Sequence, residues 1–214
     1  MKRKSKIKQE RQDNLIIGVV LMGLALFLLG NYFLNNADDE HINGESEVEE
    51  MSKIAVFETN KGTIKIELNT EKAPITTKNF IQYVEDGFYD GLVFHRVIDN
   101  FMIQGGGFLP DGTQRATREP IVLESDNGLK NEIGTVAMAR TNVPDSASSQ
   151  FFINVNNNEF LNRGVRDEGY AVFGKVVEGM SVVNEIKTIS TTNKFGQGDW
   201  PVEDIIITKA FMEW

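Results

Sequence analysis

Residues 94–106 read FHRVIDNFMIQGG. Within and just before this stretch, Val93, His95 and Val97 alternate with Phe94, Arg96 and Ile98. That is the period of a β-strand, with Arg96 on one face and His95 on the other. Asp99-Asn100 is a turn, and residues 101–104 form a second strand. Arg96 therefore stands a few residues from Phe101, Met102 and Gln104. A guanidinium on a strand beside apolar side chains is unusual for a core. It suits the gripping of a peptide carbonyl, because it is a rigid fork of donors that keeps its charge. His95, on the opposite face, is expected to be a core histidine with its hydrogen bonds satisfied.

Outward from this stretch the same periodicities recur. Residues 53–59 (KIAVFET) and 63–68 (TIKIEL) alternate around Asn60-Lys61-Gly62 and predict a hairpin. Pro74 opens a helical pattern carrying Phe80, Ile81 and Val84, and Gly87 stops it. Residues 105–131 are rich in Gly, Asp, Asn and Pro and predict a long loop, with one short strand near 121–123. Strands are expected at 134–139, 150–155 and 170–177, a helix at 180–189 and a closing strand at 202–212. About eight strands and two helices predict a mainly β domain: a closed eight-stranded antiparallel β-barrel capped by two α-helices.

Composition narrows the chemistry. The chain has 214 residues, 41% hydrophobic and 25% charged, and a net charge of −9, whereas a nucleic-acid binder normally shows a basic face. The absence of cysteine excludes disulfides, thiolate catalysis and thiolate metal sites. Two histidines far apart, His41 and His95, leave no basis for a histidine-rich metal site. Gly105-Gly106-Gly107 is followed by neither a GxGxxG pattern nor a Walker lysine, and no GxSxG or HExxH motif occurs. No cofactor and no metal are expected.

The N-terminus carries a separate signal. Lys2, Arg3, Lys4, Lys6, Lys8 and Arg11 precede an apolar run from Leu15 that continues to Leu34. About 20 residues of helix cross a hydrocarbon core of ~30 Å. The reading is a basic cytoplasmic tail (1–13), a transmembrane helix (14–34), an acidic linker (35–52) and a domain at 53–214, held outside the plasma (inner) membrane by the positive-inside rule. A cleaved signal peptide is the competing reading, but its apolar region is usually shorter. The linker is a solvated spacer, with docking of a basic partner as the alternative.

Four blocks then carry a resemblance: FHRVIDNFMIQGG, GTVAMAR (134–140), SSQFFINV (148–155) and YAVFGKVVEGM (170–180). In order and spacing they resemble the cyclophilin-type peptidyl-prolyl isomerases, over essentially all of 53–214. The 105–131 loop, in the short form of that family, and Arg140 look like the bacterial branch. The resemblance implies cis–trans isomerisation of X–Pro bonds in exported or envelope proteins, with Arg96 and Gln104 as catalytic residues. It implies a proline pocket of Phe101, Met102, Phe152 and Leu161, and contacts from Ala139, Arg140 and Gln150 to the flanking peptide. Alternation places Phe152 in that groove and Phe151 in the core.

Three positions depart from the better-known eukaryotic pattern. Phe160 stands where tryptophan is common, Tyr170 where histidine is common, and Asp99-Asn100 replaces Pro-Gly. Without an indole N–H at 160, weak cyclosporin binding is expected. Proline-containing polypeptides and the membrane are the expected partners, nucleic acid is not, and a monomer is expected. A tethered proline-peptide binding module or holdase is the alternative function.

Overall fold

The computed structural model describes residues 53–213. The expected tail, membrane helix and linker lie outside the described residues, among which no helix is long and apolar enough to cross a membrane. The domain is built on one eight-stranded antiparallel sheet. Its strands are β1 (Ile54–Thr59), β2 (Gly62–Leu68), β3 (Val93–Ile98), β4 (Met102–Phe108), β5 (Thr135–Met138), β6 (Phe151–Asn154), β7 (Val172–Glu178) and β10 (Ile207–Glu213). Two helices, α1 (Pro74–Glu85) and α2 (Met180–Ile186), accompany it.

The strand order β10-β1-β2-β7-β5-β6-β4-β3 is linear, so the sheet is a curled half-barrel, not the continuous closed ladder expected. β10 pairs with β1 along its length. β10 itself does not pair with β3; the chain just ahead of it does, through a bridge between Val93 and Ile206. Phe94 N–H donates to the Ile205 carbonyl (2.9 Å) and Ile207 N–H to that of Leu92 (2.8 Å), stitching this seam at one end.

Two further expectations change. The strand near 121–123 is a single bridge between Ile121 and Ala147. The segment ahead of the closing strand holds an unforeseen hairpin, β8 (Thr191–Lys194) with β9 (Gln197–Pro201), and the closing strand begins only at Ile207. The second helix stops at Ile186, three residues short of its expected end.

Alternation decides what the sheet buries. On the inner face, Phe57, Phe94, Phe151 and Phe173 meet Phe80 and Tyr83 of α1 and Tyr89 in one core. Phe80 lies 4.8 Å from Phe173 and edge-on to Phe151 at 5.4 Å, geometries that aromatic quadrupoles favour. Helix α1 starts at a proline, which has no N–H to leave unpaired. Its next two amides, of Ile75 and Thr76, donate to the Glu124 carboxylate at 3.0 and 2.7 Å. The long loop thus supplies the cap that Ala73 cannot. On the outer face a second cluster forms from Met102, Ala137, Phe152, Leu161 and Val172, with Phe101, Ala139 and Tyr170 against it.

Candidate active site

The site begins as a row across the sheet. Arg96 on β3 is paired with Gln104 on β4, Gln104 with Phe152 on β6, and Phe152 with Ala137 on β5. Cross-strand partners project from the same face, so strand register alone sets the guanidinium, the amide and the phenyl ring side by side. Phe152 and Met102 form the apolar floor, 4% and 2% exposed, while Phe151 is wholly buried in the inner core. An open groove of about 600 Å³ lies above this row. It gathers all eleven residues named from the sequence: Arg96 and Gln104, the floor of Phe101, Met102, Phe152 and Leu161, and Ala139, Arg140, Gln150, Phe160 and Tyr170 on its walls.

Polar contacts order one wall. Arg96 Nη1 donates to Gln104 Oε1 at 3.5 Å, and Gln104 Nε2 donates to Gln150 Oε1 at 2.9 Å. The guanidinium also stands 5.9 Å from the Phe101 ring centroid, which favours a cation. On its other side Arg96 Nε lies 3.7 Å from Asp199 Oδ2, an ion pair with a residue of β9. Gln150 has room because Gly107 lies beneath it: a Cβ there would sit 2.7 Å from the Gln150 amide.

Arg140, on the groove wall, is also tied to the neighbouring loop. Its guanidinium donates to the carbonyls of Gly169 (2.8 Å) and Thr141 (2.9 Å) and to Asp167 Oδ1 (2.9 Å), and it stacks on Tyr170 at 4.6 Å. Its side chain therefore braces the loop beside the groove. The Gly169 amide, followed by Arg140 and Arg166, holds the Asp167 carboxyl below the usual carboxylate range. Phe160, half in solvent, stacks on Phe101 at 5.6 Å and carries Arg166 above it at 5.7 Å.

Four groove residues escaped the sequence: His95, Phe108, Arg166 and Gln197. His95 corrects an expectation. Phe94 pairs with Gly105 but Arg96 already with Gln104, so His95 is the extra residue of a bulge and leaves the strict alternation. The bulge turns the imidazole to the groove wall, between Phe108 (4.7 Å) and Trp200 (5.9 Å). Its Nδ1 is buried without a hydrogen-bond partner. Burial, with the Arg96 charge adding to it, lowers its pKa from 6.5 to about 4. His95 is therefore neutral at physiological pH. Its burial was legible, but the bulge was not.

A charged fork, two amides and an apolar floor line one open groove, a surface with the chemistry for a peptide ligand. Comparison with known proteins gives the family. Residues 54–211 match the family model for cyclophilin type peptidyl-prolyl cis-trans isomerases. Peptidyl-prolyl cis-trans isomerase A of Dickeya dadantii is 53% identical over 152 residues, 71% of this chain and 80% of that protein. Peptidyl-prolyl cis-trans isomerase B of Escherichia coli K12 is 52% identical over 157 residues, 72% of this chain and 96% of that protein. A Cryptosporidium parvum cyclophilin type isomerase, crystallised in the presence of the dipeptide Ala-Pro, superposes with a TM-score of 0.66 at 28% identity, covering 75% of this chain and 99% of that one. The chain belongs to the cyclophilin-type peptidyl-prolyl cis-trans isomerase family, and its activity is the interconversion of cis and trans X–Pro bonds.

Proposed function

We propose that the groove performs this isomerisation on exported or envelope polypeptides, with the domain tethered outside the plasma membrane through residues 14–34. The barrier is about 18–20 kcal/mol, because rotation destroys amide resonance. No bond is made or broken, so catalysis needs only groups that favour the twisted amide over the planar one. Arg96 is assigned that part: its N–H groups hold the proline carbonyl or donate to the prolyl nitrogen as it becomes pyramidal. Gln104 orients the guanidinium. Phe101, Met102, Phe152 and Leu161 grip the ring, and Ala139, Gln150, Phe160 and Tyr170 line the path of the flanking peptide. An apolar floor also strengthens the donor's effect by keeping water away from it.

The observation carrying these roles is the row from Arg96 through Gln104 to Phe152, which fixes cation and ring recess in one register. The tether is supported by the basic block and apolar run of the sequence. Weak cyclosporin binding follows from the missing indole at Phe160, and a monomer suits a groove complete within one chain. The test is NMR exchange on a short X–Pro peptide with a substoichiometric amount of protein. Faster exchange is expected, whereas shifted resonances with unchanged exchange would identify a binding module instead.

A further inference from the structure

We propose that Asp199, on the β8–β9 hairpin, is a positioning residue that holds the Arg96 guanidinium in its working orientation. The inference rests on the reading that Arg96 acts on the substrate. An arginine side chain has many rotamers, so its direction must be imposed by partners. Gln104 alone is a weak partner, because 3.5 Å is at the outer limit of a hydrogen bond. Asp199 approaches from the opposite side, with Oδ2 3.7 Å from Nε. With the carboxylate drawing the Nε edge by charge and Gln104 accepting from Nη1, the guanidinium keeps its remaining N–H groups for the groove.

The hairpin is built to carry such a brace. Trp200 is fully buried beside Asp199, and its Nε1 donates to Asp204 Oδ1 at 3.0 Å. Lys194 Nζ donates to the Val202 carbonyl (2.9 Å) and to Asp204 Oδ1 (3.2 Å), closing the base of the hairpin. Gln197 extends the same hairpin into the groove, and His95 packs on Trp200. Asp199 itself has a φ of +60°, where glycine or asparagine is the less strained choice. An aspartate held there places its carboxylate 3.7 Å from Nε.

The test uses the full chain and the variants Asp199→Asn and Asp199→Gly. Both accept a positive φ, so a lost carboxylate is separated from a lost fold, and the thermal midpoint checks this. An exposed ion pair of this kind corresponds to a rate effect of about two- to fivefold. The expected result is a fall in kcat of that size with a smaller change in KM, because orientation of the donor matters more in the twisted state than in binding. Raising salt from about 0.1 M to about 1 M shrinks the screening length from ~10 Å to ~3 Å, so wild-type kcat should decline toward that of the variants, whose kcat stays level. Wild-type kcat in folded Asp199→Gly, or the same salt response in all three proteins, would overturn the inference while leaving the role of Arg96 intact. A wild-type chain without turnover would instead remove the reading beneath it.

Discussion

Arg96 stands out as a cation among phenylalanines and a methionine, but its neighbours alone also suit a surface arginine, and the order of the four motif blocks made it a candidate. Its environment also predicts how it tolerates change. Arg96→Lys keeps the charge but replaces a planar fork with a point donor that reaches neither Gln104 nor Asp199 in the same geometry. We expect it to lose at least tenfold in kcat/KM in a peptide isomerisation assay, and equal rates for the two proteins would show that charge alone suffices. His95 makes a stability prediction. Its folded pKa of about 4 lies below the unfolded value of 6.5, so the folded state binds fewer protons between those limits. Its contribution is complete above pH 6.5 and is lost as pH falls toward 4, by about 3 kcal/mol. Denaturant midpoints measured across pH 6.5 to 4 should fall steeply for the wild type and less steeply for His95→Gln. Parallel slopes would place the sensitivity elsewhere.

Strand β4 shows how one element serves both faces of the sheet. Met102 and Gln104 face the groove while Ile103 joins the core, and the three glycines that follow answer to close neighbours rather than to a ligand. Gly107 gives the clearest case. A methyl group there must displace Gln150 and break its 2.9 Å bond with Gln104. Gly107→Ala should therefore lower kcat/KM by about two- to tenfold, the worth of one hydrogen bond, with the thermal midpoint nearly unchanged. Unaltered kinetics would mean that Gln150 does not take part. The hairpin of β8 and β9 was illegible for an equally local reason. Its turn places φ of +55° at Phe195 and +77° at Gly196, a pair of positive values that a sequence usually advertises with Asn-Gly. Phenylalanine hides the turn, and it is found there because its ring packs on Gly112 and on Trp200, 5.2 Å away. With the turn hidden, Gln197 and Asp199 were hidden too.

At the scale of the molecule, the groove collects residues from β3, β4 and the turn between them, from β6 and β9, and from the loops between Ala139 and Tyr170. Local periodicity gave the strands and their faces. Motif order gave most of the lining, and only the long-range register of the curled sheet brings in the rest. For the whole chain, the basic block and apolar run predict a protein recovered in the membrane fraction at a mass that includes residues 1–52. A shorter form in the soluble fraction would replace the anchor with a cleaved leader. Because a guanidinium keeps its charge and His95 is already neutral, the activity should be nearly flat from about pH 6 to 9. A bell-shaped profile would argue for proton transfer instead. The most direct test of the account is the rate at which full-length wild type and a folded Arg96→Ala variant exchange cis and trans forms of an X–Pro peptide. Acceleration by the wild type, reduced at least tenfold in Arg96→Ala, is the predicted result, and equal acceleration by both proteins would contradict the central claim.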